Sequence, residues 1–134
     1  EAKVPEDRAK ISRVIYNRLS LGMPLEIDAT LFYKQNTDLP FLELKAIDSP
    51  YNTYLFTGLP PTPISNPGRA AINAALNPAP NPSSGDPICR EITDSSPCSY
   101  LYYVLSDKDG RHVFAASLAQ HQINVQAAIV AGVL

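Results

Sequence analysis

Apolar residues at helical spacing open the chain: Val4, Ile11, Val14, Ile15 and Leu19 predict a helix over residues 5–21 with one buried stripe. Pro5 suits its first turn, Glu6 and Asp7 favour its positive start, and Gly22 with Pro24 ends it. Arg8, Lys10 and Arg13 fall mostly off the stripe and read as solvated. The apolar run from Leu25 to Tyr33 is too short to separate strand from short helix. Asp38 is placed to cap a short helix over 39–47, which must end before Ser49-Pro50. Asn66-Pro67 reads as an N-cap before a helix over 68–77, with Ala71, Ile72, Ala75 and Leu76 facing inward. Tyr100 to Ser106 is the clearest strand, Asp107 to Gly110 a hairpin turn, and Arg111 to Ala115 the returning strand. Ser117-x-x-Gln120 is a capping box for a final helix carrying Leu118, Val125, Ile129 and Val133 on one face. The pattern is that of an α+β domain: a small antiparallel sheet, flanking helices and a long Pro-rich loop region.

Composition sharpens the picture in the middle of the chain. Of 13 prolines, nine fall between Pro50 and Pro87. Those at 60, 61, 63 and 67 remove donors and fix φ, so the stretch from Tyr51 to Gly68 can join neither a central strand nor a helix interior. A stiff, irregular segment of this kind suits a binding wall, because it has little entropy left to lose on ordering. A well-ordered structural loop is the alternative reading. The segment Ala79 to Pro87 carries no packing signal, and an eight-residue polar stretch separates Cys89 from Cys98. At 134 residues the chain is large enough for one domain with a real core. Its net charge of −2 and lack of basic runs argue against a nucleic-acid surface. No apolar run reaches the length of a membrane span. The start at Glu1, without methionine, suggests a piece of a longer protein.

Nine short motifs then occur in order: Asn17-Arg-Leu, Gly22-Met, Asp28-x-Thr30, Tyr51-Asn-Thr-Tyr, Gly58-Leu-Pro-Pro61, Ile64 with Pro67-Gly68, Ala74-Ala75, Tyr100-Leu-Tyr-Tyr-Val104, and His112-x-Phe114-x-x-x-Leu118-x-x-His121. Each is weak alone; in register they resemble the catalytic domain of endolytic murein transglycosylases, the MltG/YceG-like family. The resemblance covers nearly the whole chain apart from an insert at about 79–99. It implies a bacterial cell-wall enzyme, membrane-anchored in its full length and acting outside the cytoplasmic membrane. Such an enzyme cuts peptidoglycan glycan strands between N-acetylmuramic acid and N-acetylglucosamine, leaving 1,6-anhydromuramic ends. Cell-wall synthesis machinery is the partner it implies, and no cofactor or metal is expected.

The resemblance also distributes roles. The family's catalytic glutamate stands seven residues before the arginine of the first helix, and counting back from Asp7-Arg8 reaches Glu1. One carboxyl is enough in principle, since the sugar's own 6-hydroxyl replaces the water of an ordinary glycosidase. Asp28 and Thr30 of the Asp-x-Thr match, with Tyr51, Asn52 and Thr53, offer the carboxylate, aromatic, amide and hydroxyl groups that sugars use. An Asx-type turn or cap is the plain structural reading of Asp28. Ala29 and Glu26 depart from the family's usual proline and glutamine, which touches substrate contacts and not the reaction. His112 and His121 become cleft residues by resemblance; they are nine apart with no CxxC or HExxH partner, which argues against zinc. A cleft lined by Glu1, Asp28 and the Tyr51 loop is expected. In an exported protein, Cys89 and Cys98 have the pattern of a disulfide. A non-catalytic peptidoglycan-binding or divisome scaffold module and a hydrolytic muramidase are the competing readings.

Overall fold

The computed structural model describes residues 2–35, 38–93 and 96–134. Its elements are α1 (Pro5–Leu21), α2 (Asp28–Phe32), α3 (Phe41–Lys45), α4 (Arg69–Leu76), a 3-10 turn (Pro87–Cys89), β1 (Tyr102–Leu105), β2 (His112–Ala115) and α5 (Leu118–Val130). They form an α+β fold with a two-stranded antiparallel sheet among the described residues. Two compact units divide the chain: Glu1–Asn17 with Gly68–Leu134, and Arg18–Pro67.

In the first unit, α1 starts at Pro5 with Glu6 and Asp7 in its first turn, as its sequence dictates. The buried apolar centre is Val14, Tyr100 and Phe114, with Ile11, Ile88 and Tyr103 packed around it. The Tyr100 and Phe114 rings meet edge-on at 5.7 Å between centroids. The cationic face of α1 is half-buried instead of solvated. Arg13 Nε donates to the Ala79 carbonyl at 2.5 Å. The Lys10 ammonium lies 5.5 Å from the Phe114 ring centre and 5.9 Å from that of Tyr100. Asn17 Nδ2 donates to both Asn81 Oδ1 and the Tyr100 carbonyl, at 2.8 and 2.9 Å.

The strands pair from Tyr102 opposite Ala115 to Leu105 opposite His112. Asp107 Oδ1 closes the turn by accepting from the amides of Asp109 and Arg111. The predicted strand was longer than β1, yet backbone bonds at Leu101 and Ser106 continue the pairing at each end. Helix α5 packs on both strands. Ser117 caps it by accepting from the Gln120 amide, while Gln120 Nε2 turns to Asn124 Oδ1 and leaves the capping box one-sided. Cys89 and Cys98 form a disulfide. Within that bridged stretch Glu91 Oε2 accepts from the Ser117 hydroxyl at 2.7 Å.

Two helices present faces other than those expected. On α4 only Ala74 is buried, while Ile72 and Leu76 are 47% and 74% exposed. Its N-cap is Gly68, without a side-chain cap, so Asn66 does not cap it. On α5 Leu118 and Ile129 stand about half exposed, and the small Ala128 makes the buried contact.

In the second unit, α1 ends in a Schellman motif. Gly22 sits at φ +68°, and the Gly22 and Met23 amides donate to the carbonyls of Leu19 and Arg18. Arg18 is buried there, donating to the Pro24 carbonyl at 2.9 Å, with Glu26 Oε2 at 3.7 Å. Leu25, Leu31 and Leu44 are the buried apolar residues of a small interior where α2 packs on α3. The N-cap of α3 is Pro40, so Asp38 does not hold the capping position.

Candidate active site

The site residues fall into two constellations, one in each unit. In the second unit, Asp28 opens α2 and is exposed, and one of its oxygens accepts a hydrogen bond from the Tyr54 hydroxyl. Tyr51 stacks obliquely with Tyr33 at 4.8 Å, and its hydroxyl pairs with that of Thr62 at 2.7 Å in the Pro-rich segment. The Lys34 ammonium lies within 6 Å of both rings, at 5.4 Å from Tyr33 and 5.9 Å from Tyr51. Lys45 stands 4.6 Å from the Tyr54 ring centre. Aromatic faces, a carboxylate and two ammonium groups therefore share one region of surface.

Beneath that surface lie three of the predicted contact residues. Thr30, Asn52 and Thr53 are 3%, 2% and 2% exposed, and their polar atoms are engaged inside the unit. Asn52 Nδ2 donates to the carbonyls of Lys45 and Ile47, both at 2.9 Å, and its Oδ1 accepts from the Tyr54 amide. Thr53 Oγ1 accepts from the Ile27 amide at 2.9 Å and meets Thr30 Oγ1 at 2.8 Å. Thr30 Oγ1 also donates to the Ile27 carbonyl. Buried and bonded in this way, the three support the loop from within. The hollow lined by Thr30, Leu31, Gln35, Leu44, Ile47, Ser49 and Asn52 has no room for even a water molecule, so it is a packing feature.

In the first unit, the His112 amide donates to Asp7 Oδ2 at 2.8 Å, and its Nδ1 lies 3.3 Å from the same oxygen. Both side chains are buried, at 7% and 11% exposure. The Tyr103 ring meets the imidazole edge-on at 5.6 Å. His121 takes a different place, stacked on Tyr102 at 5.0 Å. Asp7 is the residue that sequence reasoning missed. It reads as an acid at a helix start and as part of the pair that marks the count back to Glu1, and its bond to His112, 105 residues away, leaves no local signal. The expected acid, Glu1, lies outside the described residues. Burial and the Asp86 carboxylate push the Tyr100 phenol above its ordinary range. Among the described residues no three His, Cys, Asp or Glu side chains gather as a metal site would need.

Tyrosine faces beside a carboxylate, on a loop held from below by buried amides and hydroxyls, offer chemistry suited to a sugar on an α+β frame. The chain belongs to the YceG-like family, whose pattern matches residues 1–127. It is 40% identical over 124 residues to the endolytic murein transglycosylase of Bacillus subtilis strain 168, covering 90% of this chain and 29% of that protein. The protein of the same name from Streptococcus pneumoniae D39 is 30% identical over 132 residues, covering 93% of this chain and 21% of its own. A crystal structure of a yceG-like protein from Listeria monocytogenes superposes with a TM-score of 0.70 at 34% identity, covering 92% of this chain and 34% of that one. The chain thus spans less than a third of the length of these two curated relatives.

Proposed function

We propose that this domain is the catalytic part of a lytic transglycosylase that cuts peptidoglycan strands between N-acetylmuramic acid and N-acetylglucosamine. The observation that carries the reading is the 40% identity, across 90% of the chain, to a protein named for that activity. Glu1 is the acid. Its carboxyl protonates the departing glycosidic oxygen as the bond to the anomeric carbon breaks. The resulting carboxylate accepts the proton of the muramic 6-hydroxyl, whose oxygen bonds to the same carbon and closes the 1,6-anhydro ring. No water is consumed, and the intramolecular attack gains a proximity advantage that a free nucleophile lacks. Asp28, exposed and hydrogen-bonded to Tyr54, serves the glycan directly, with the Tyr51 ring as a face for a sugar to stack on. Thr30, Asn52 and Thr53 keep that surface in shape from below, and the His112–Asp7 pair braces the start of α1.

The substrate places the site of action outside the cytoplasmic membrane. No described helix is long and apolar enough to cross a membrane; a membrane anchor in the full-length protein is part of the proposal. Cell-wall synthesis enzymes are the partners such an activity would serve.

Mass analysis of digested peptidoglycan tests the reaction. A transglycosylase leaves products one water lighter than a hydrolase does, and Glu1→Gln in the full-length protein should abolish them. Products with reducing ends would make the domain a muramidase. Binding without turnover would make it a scaffold module.

A further inference from the structure

We infer that Arg8 and Gly110 are positioning residues for the proposed acid, because together they hold two of the three residues that link Glu1 to α1, Ala2 and Lys3. The inference rests on the reading of Glu1 given above. Arg8 turns back from the first turn of α1, and its Nε donates to the Ala2 carbonyl at 3.2 Å. Lys3 is held differently. A Cβ on Gly110 would lie 2.9 Å from Lys3 Cδ, 3.0 Å from its Cβ and 3.3 Å from its Cγ. The lysine stem therefore lies flat on the hairpin turn, against a glycine that is itself buried.

Gly110 has φ +92°, a conformation that glycine adopts without strain. Conformation alone would still leave room for asparagine or aspartate, which visit the left-handed region in many turns. The Lys3 contact removes that room, since Lys3 Cβ cannot swing aside as a side-chain tip could. The third point of attachment is Asp7, whose carboxylate takes the His112 amide at 2.8 Å and fastens the first turn of α1 to β2. The segment before α1 is thus tied to its own helix through Arg8 and packed on the sheet's turn through Lys3. Helix starts fray when nothing holds them. Proton transfer needs the acid within hydrogen-bond reach of the departing oxygen, so small displacements at Ala2 and Lys3 are felt at the reaction.

The test uses the full-length protein and purified glycan strands. Arg8→Ala and Gly110→Ala should each lower kcat by on the order of 10²-fold with KM unchanged, the loss that misplacement by about an ångström produces. Arg8→Lys, which can still donate towards Ala2, should recover part of the loss. Gly132→Ala is the control: it carries the same left-handed strain at φ +72° with nothing within 4 Å, and kcat should stay at the wild-type level. Should Gly110→Ala fail to fold, the Arg8 pair carries the test alone. Wild-type kcat in Arg8→Ala, a raised KM with unchanged kcat, or an equal loss in Gly132→Ala would overturn the inference while Glu1→Gln remained inactive. An active Glu1→Gln would instead overturn the reading on which it rests.

Discussion

Each of the two units is stabilised internally by its own chemistry. Around α1 and the hairpin, an apolar centre of Val14, Tyr100 and Phe114 is closed by aromatic contacts and a sheet. In residues 18–67 the helices α2 and α3 have only five residues each, well short of the length at which a helix is stable by itself. There Asn52, Thr53 and Thr30 take over much of the organising role, each buried and each bonded to backbone. Apolar packing tolerates a lost methyl group with partial collapse. A buried amide that satisfies three backbone groups cannot be trimmed without orphaning all of them. The surface that carries Asp28, Tyr51 and Tyr54 therefore stands on the less forgiving foundation.

Asn52→Ala puts the largest strain on this contrast. It leaves the carbonyls of Lys45 and Ile47 and the amide of Tyr54 without their side-chain partner, and should cost about 3 kcal/mol in urea unfolding. A cost below about 1 kcal/mol would mean that water replaces the amide and the foundation is not polar in the sense argued. Val14→Ala in the apolar centre should follow at about 2 kcal/mol, since Val14 is only 1% exposed. If it exceeded Asn52→Ala, the order of the two foundations would be reversed. A smaller signal comes from Tyr100. Its phenol holds the proton more tightly folded than unfolded, first because of burial and then because of Asp86. That contribution is complete below the unfolded value near 10 and is lost as pH rises through the higher folded value. Chemical denaturation across that alkaline range should show the loss in wild type and its disappearance in Tyr100→Phe. Ile72→Ala should be the mildest change, under about 0.5 kcal/mol, because the side chain is 47% exposed. A core-sized loss would restore the inward-facing α4 that its sequence suggested.

Much of the frame was legible because local rules govern it. Pro5, the acids at 6 and 7 and Gly22 marked α1 to the residue, and Ser117 marked α5. What was hidden lies where distant segments decide. Asn52 reads as a surface amide in a Pro-rich loop, yet its acceptors are carbonyls of the preceding segment that no periodicity reveals. Asp7 reads as a helix-dipole acid, and its partner His112 is 105 residues away. On α4 the apolar positions fit a helical stripe, but burial went to Ala74, because a short alanine-rich helix offers several equally apolar faces. Tyr51 and Asp28 were singled out through the family motif. Only coordinates distinguish Asp28 and Tyr51 at the surface from Thr30 and Thr53 beneath it.

The disulfide has a consequence for events at a helix start elsewhere in the same unit. Cys89 and Cys98 bracket the stretch that carries Glu91, and Glu91 receives the Ser117 hydroxyl whose oxygen in turn receives the Gln120 amide. Oxidation of two sulfurs thereby sets how long that hydroxyl stays aimed at the first turn of α5. Reduced and oxidised protein compared by amide hydrogen exchange should differ most at Gln120 within α5, with faster exchange once the bridge is opened. An α5 whose first turn exchanges at the same rate in both redox states would show that Ser117 holds its orientation without the bridged stretch.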